Sequence, residues 1–143
     1  MRNVWCIVAV LGLAGALALP AAAEEKEKDV KKASTRVFEL RTYHAAPGKM
    51  DALNARFRDH TNALFKKHGM EIVGFWQPTD PKKADLLIYM LVFPSKEAAD
   101  KSWKAFREDP DWIKAKEASE KDGKLVDKVE SVYLNPTDYS PIK

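Results

Sequence analysis

Apolar positions change their spacing several times along the chain, and each change marks an element. Val4 to Leu19 is an almost unbroken apolar run. From Arg36 to Tyr43 the pattern alternates, with Phe38 and Leu40 on one face and Val37, Glu39, Arg41 and Tyr43 on the other, which predicts a first strand. After the Pro47-Gly48 turn, Met50, Leu53, Phe57, His60 and Leu64 recur at intervals of three and four, the period of one helix face. Gly69 ends that helix just after Lys66, Lys67 and His68, whose positive charges suit a C-terminus. Glu71 to Gln77 predicts a second strand, the Pro-, Asp- and Lys-containing segment 78–85 a loop, and Leu86 to Phe93 a third strand that is apolar on both faces. Pro94-Ser95 then caps a second helix whose inward stripe is Ala99, Trp103 and Phe106. Asp109 caps a further short helix with Pro110 at its first position, and Gly123 closes it. Lys128 to Leu134 predicts the last strand, and the tail from Asn135 is rich in turn residues.

The order is β-α-β-β-α-(α)-β, an α+β, ferredoxin-like arrangement in which both helical crossovers pack on one face of an antiparallel sheet. The other face has no cover. Whichever parity faces the helices, some of Val37, Tyr43, Trp76, Tyr89, Phe93 and Tyr133 are expected on the open side. A second subunit buries such a face economically, so the expected partner is a second copy, two sheets meeting in a barrel-like homodimer.

The apolar run at the start changes the picture of location. It follows Arg2 and precedes Ala21-Ala22-Ala23, the order of a secretory signal, so residues 1–23 are read as a signal peptide cut between Ala23 and Glu24. The run is shorter than the roughly 20 residues that span a hydrocarbon core, so no stable membrane anchor is expected after cleavage. The product is expected to be periplasmic or secreted. Cys6, the single cysteine, leaves with the signal, which removes disulfides, thiol nucleophiles and thiolate ligands from the mature chain. Residues 24–35 have almost no apolar side chains and read as a flexible charged spacer, leaving 36–143 as one domain. Loss of Arg2 lowers the formal charge from +3 to +2, with both signs interspersed, a balance that excludes electrostatic nucleic-acid binding.

Several stretches together resemble a NIPSNAP domain: FELRTY from Phe38, PGK from Pro47, LFKKHG from Leu64, GFW from Gly74, LLIYMLVFPS from Leu86, the SW…F…DP…W pattern of Ser102 to Trp112, and VESVYL from Val129. The likeness runs from about Arg36 to Tyr139. It implies a ferredoxin-like subunit of the dimeric α+β barrel superfamily, which also contains small monooxygenases, isomerases and haem-handling proteins. It does not imply a reaction, and it brings no catalytic residues with it.

Candidate chemistry rests on the residues. Glu39, Arg41 and Tyr43 share a face of the first strand, where a charged pair in a barrel interior would orient a polar ligand; the same pair at a subunit contact would set registry instead. Trp76, Tyr89 and Tyr133 would complete an amphipathic cavity, or serve as core aromatics. His60, between Phe57 and Leu64, is a candidate base, with haem ligation a minority reading and a hydrogen-bonded packing role the plainer one. Three histidines without clustered spacing predict no metal site, and no other cofactor is expected. Two readings remain: a dimer that binds a small, partly apolar molecule between its subunits, and a cofactor-independent monooxygenase or isomerase. The export pattern gives the first test. Mass spectrometry of the protein from its native host should find Glu24 at the N-terminus; an intact Met1 on a membrane-retained chain would refute cleavage.

Overall fold

The computed structural model describes residues 36–143, so the predicted signal, the spacer and Cys6 lie outside the described residues. Strand β1 (Val37–Ala45) pairs antiparallel with β3 (Leu86–Phe93) on one side and β4 (Val126–Leu134) on the other, and β2 (Glu71–Trp76) pairs with the far edge of β3. The sheet order is therefore β2-β3-β1-β4. Helix α1 spans residues 50–67, α2 is Lys96–Glu108 and α3 is Pro110–Ser119. This is the predicted ferredoxin-like α+β order, with the doubly apolar β3 inside the sheet.

Local chemistry sets the boundaries as expected. The Ser95 side chain accepts from the Ala98 amide at 3.2 Å, and Asp109 from the Asp111 amide at 2.9 Å with Pro110 following it. Gly69 turns the chain out of α1 at φ +70°, a conformation that side-chain-bearing residues rarely adopt. Helix α3 ends at Ser119, earlier than expected, and Gly123 belongs to the turn beyond it. His68 does more than complement the end of α1: its Nε2 lies 2.6 Å from Asp109 Oδ2. The Asp109 carboxyl is held well below its ordinary range by hydrogen bonds from Lys67 and then His68.

Two features depart from simple periodicity. In α1, the regular turns of Met50–Arg56 and Asn62–Lys67 are separated by a π-helical turn, Phe57–Thr61. The wider turn inserts one extra residue per turn. The inward positions then run Leu53, Arg56, Phe57, Thr61, Leu64 and Phe65, all buried, and His60 is exposed. The Thr61 hydroxyl donates to the Arg56 carbonyl at 3.2 Å across this turn. In β2, the register with β3 shifts between Ile72 and Gly74, and the Trp76 ring folds back over Gly74, where a Cβ would stand 2.9 Å from it.

The core lies between the sheet and the helices, where Tyr89, Leu91 and Phe93 meet Leu53, Phe65, Trp103 and Phe106. Register fixes which faces are which. Glu39, Arg41 and Tyr43 pair across β1 with Leu91, Tyr89 and Leu87, so they face the helices. Of the residues considered for the open side, Tyr43, Tyr89, Phe93 and Tyr133 also face the helices, and Val37 shares their parity; Trp76, aligned with Ile88, faces away and is 49% exposed. The open face nonetheless carries Leu40, Ile88, Met90, Val132 and Leu134, the last two 53% and 38% exposed. The tail beyond β4 crosses one end of it, enclosing a hollow of about 330 Å³ with Phe38 and Met90.

The π turn is tested by contrast. Leu53→Ala should lower unfolding stability by about 2–5 kcal/mol, the cost of deleting a fully buried leucine, while His60→Ala should change it by less than about 0.5 kcal/mol. Urea denaturation of both variants decides; a large loss at His60 would place it in the core and refute the turn.

Candidate functional site

Beneath the helices a carboxylate is buried and fully engaged. Glu39 is 1% exposed. Its Oε1 accepts from Arg41 Nη1 at 2.8 Å and from Ser131 Oγ at 2.6 Å, and its Oε2 accepts from Trp103 Nε1 at 2.6 Å. The three donors come from β1, β4 and α2. The Arg41 guanidinium lies over the Trp103 ring at 4.2 Å and near the Tyr43 ring at 5.6 Å. Burying a carboxylate costs several kcal/mol, while each charge-assisted hydrogen bond returns about 1.5–3 kcal/mol, so the cluster roughly breaks even in stability and contributes mainly orientation.

Next to it, two donors have nothing to bond. Arg41 Nε and the Tyr89 hydroxyl are buried without a hydrogen-bond partner among the described residues. Tyr89 is fully buried, its ring 5.3 Å from those of both Tyr43 and Phe57, and burial pushes its phenol well above the ordinary value. It is therefore neutral and available as a donor at physiological pH. Burial, and then the charge of Glu39, also raise Tyr133, whose ring carries Lys96 Nζ at 4.4 Å. Arg41 is penalised by burial, but its surroundings, Glu39 among them, more than offset this and hold it charged.

A cleft of about 290 Å³ opens from the surface onto the Tyr43 end of this group. Its walls include Trp112 of α3 and Val126 and Val129 of β4, its inner end has Arg56 of α1, and its mouth has Lys116, Lys124 and Lys128. Arg56 is 4% exposed, bonded through Nη1 to Glu120 at 2.8 Å and to Ser119 at 3.3 Å, and its guanidinium stands 5.3 Å from the Trp112 ring centroid. A shallow hollow of about 320 Å³ between α1 and α3 is lined by four alanines, Asp59, His60 and Ser119, and Arg56 borders it as well as the cleft.

The predicted residues therefore separate. Glu39, Arg41, Tyr43, Tyr89 and Tyr133 gather on the helix-covered face of their own sheet, so they do not line a cavity between two sheets. Trp76 is on the opposite face. His60 is not on an apolar stripe, because the π turn carries it to the surface; that position offers neither a shielded base nor an enclosed haem ligand. Sequence reasoning passed over Trp103 as plain core, and Ser131 and Arg56 altogether. The signal for Trp103 was present: a carboxylate on the core parity needs donors, and the inner stripe of α2 offered one indole N–H. Among the described residues no group of three or more His, Cys, Asp or Glu is arranged to hold a metal ion, and no helix is long and apolar enough to cross a membrane.

A ferredoxin-like α+β domain with a polar cluster under its helices defines a fold class shared by many proteins. Residues 38–141 match the NIPSNAP family model, and the chain belongs to the NIPSNAP family. Among solved structures it is similar to a NIPSNAP family protein of unknown function from Agrobacterium tumefaciens, at 21% identity over 77% of this chain and 96% of that one, with a TM-score of 0.67. A second A. tumefaciens NIPSNAP protein shares 23% identity over 76% and 99% of the two chains at a TM-score of 0.66. A NIPSNAP-like domain protein from Burkholderia xenovorans shares 16% over 76% and 90%, also at 0.66. At these identities the likeness shows the fold. No curated protein matches the chain.

The cluster makes a quantitative prediction. Trp103→Phe should cost about 1.5–3 kcal/mol, one charge-assisted bond to a buried acceptor, and Glu39→Ala about 3–5 kcal/mol because it strands Arg41 and the indole together. The double variant should cost less than the sum. Strict additivity in denaturant melts would contradict a shared network.

Proposed function

We propose that the mature protein is an exported homodimer, joined through the open faces of its sheets, and that each subunit binds a small, partly apolar molecule in the cleft that ends on Tyr43. The observation that carries the binding reading is Arg56 in the cleft wall, buried with its Nε left without a hydrogen-bond partner among the described residues. A buried polar group without a partner costs about 1–3 kcal/mol, so a bound molecule or water that accepts from this donor recovers that cost. The cleft has the modest size and mixed aromatic, aliphatic and charged lining of a ligand site. The ligand's place is thus within each subunit, not between the two.

The dimer rests on area. Burying roughly 400 Å² of apolar surface on each of two subunits contributes on the order of 20 kcal/mol, against an association cost of roughly 4–15 kcal/mol. The second reading, a cofactor-independent oxygenase or isomerase, would use the Arg56 guanidinium to polarise a substrate oxygen. Binding is favoured because the carboxylates lining the cleft are engaged, Glu120 by Arg56 and Lys116, Asp127 by Lys124, which leaves no free base at its walls.

Native mass spectrometry of the mature protein tests both parts at once. The expected species is a dimer at micromolar concentration carrying a small-molecule mass on each subunit. Met90→Asp, on the open face, should yield monomer, and Val129→Trp, at the cleft wall, should remove the bound mass while keeping the dimer. A ligand-free monomer of the unmodified protein would overturn the proposal.

A further inference from the structure

We infer that the cleft selects a monoanionic carboxylate with a flat apolar body, and that Arg56 is the residue that reads the carboxylate. This rests on the reading of the cleft as a binding site and specifies what that site takes.

The argument begins with the two edges of the Arg56 guanidinium. Nη1 is committed, to Ser119 Oγ at 3.3 Å and Glu120 Oε1 at 2.8 Å. The other edge, formed by Nε and Nη2, makes no hydrogen bond among the described residues, and Nε is fully buried. Those two N–H groups are parallel and spaced to match the two oxygens of a carboxylate, which is why arginine recognises planar anions in a bidentate way. The side chain is 4% exposed, so the fork is held rigidly and away from bulk water, unlike a surface arginine with many rotamers. Its position at the end of the first segment of α1, immediately before the π turn, turns it inward with the core residues.

Charge around the cleft agrees. Arg56 and Lys116 share one carboxylate, Glu120, and Lys128 is paired with Glu130, so this group carries one uncompensated positive charge. Lys124 and Asp127 neutralise each other at the mouth. A single negative charge on the ligand completes the balance. These rim pairs are exposed, where such contacts are worth about 0–1 kcal/mol, and they give way readily to an incoming anion.

The body of the ligand is set by the walls. Tyr43 and Trp112 both line the cleft, and each is packed from behind, Tyr43 by Phe57 and Tyr89 and Trp112 by Phe106 at 4.5 Å. Rings held by Phe106, Phe57 and Tyr89, with the Arg56 guanidinium against Trp112, are rigid aromatic walls, and the narrow apolar space between them suits a flat partner. The space, about 290 Å³, holds one or two fused rings and excludes large ligands.

The test uses 2-naphthoate and its uncharged counterpart 2-naphthamide, titrated by calorimetry, with the Trp112 indole N–H followed by NMR and assigned with Trp112→Phe. Naphthoate should bind and shift that resonance, and naphthamide should bind at least about tenfold more weakly. Arg56→Gln should weaken naphthoate to the level of naphthamide. Because Arg56 is buried, Lys116→Gln at the exposed rim repeats the test without disturbing the core, and should weaken naphthoate by about threefold or more while leaving naphthamide unchanged. Equal affinity for the two probes would overturn the anion selectivity and leave the binding site standing. Failure of both to move Trp112 at millimolar concentration would overturn the inference together with the cleft reading beneath it.

Discussion

A carboxylate under a hydrophobic roof is costly, and Glu39 is tolerated because three separate elements bring it donors. Arg41 lies two residues along the same strand, Ser131 directly across from Arg41 on β4, and Trp103 above on α2. Each of these has to be in place before the charge can be buried, so the network couples the β1–β4 register to the docking of α2. A slip of one residue between the strands would send Glu39 to the opposite face and leave the indole without an acceptor. The net energy is small, since desolvation consumes most of what the hydrogen bonds return. What the network supplies is a unique arrangement, and the Arg41 and Tyr89 donors inherit their positions from it.

This arrangement divides the molecule into two sides of different chemistry. On the helix side, aromatic rings crowd around Tyr89, edge to face from Tyr43 and Phe57, and the Glu39 carboxylate among them is fully bonded while the Tyr89 hydroxyl is buried beside Tyr43. On the other side the sheet presents aliphatic residues and Trp76, with only the C-terminal tail across one end. A face that is apolar, half exposed and free of a specific polar cluster suits association. Both sides come from strands that are apolar at both parities, so separating them requires a decision about which parity the helices cover.

The π turn in α1 shows how a single extra residue redistributes chemistry. In a regular helix the stripe through Leu53 and Phe57 would centre near His60 and Leu64, with Thr61 toward its edge. The widened turn reverses that and is bridged by the Thr61 hydroxyl to the Arg56 carbonyl, so that a small polar residue is buried with its hydrogen bond satisfied. Arg56, at the start of the turn, reaches Trp112 and Glu120 of the neighbouring segment. A histidine is thereby removed from consideration and an arginine brought into the cleft.

Much of the architecture was legible in the order of residues, because element type depends on local periodicity, capping and turn chemistry. The alternation of β1, the caps at Ser95 and Asp109, the turn at Gly69 and the family likeness all follow from neighbours in sequence, and so does the grouping of Glu39, Arg41 and Tyr43 on one strand face. Three matters did not. Which face the helices cover was undetermined, since β3 is apolar on both sides and strand parity alone is symmetric; the Trp103–Glu39 bond, 64 residues apart in the chain, resolves it. The fate of His60 was misread because a π turn leaves no mark in a three-and-four pattern. Arg56 stayed invisible because a buried arginine is stable only against partners, Glu120 and Trp112, that lie more than 50 residues away and that only tertiary packing delivers.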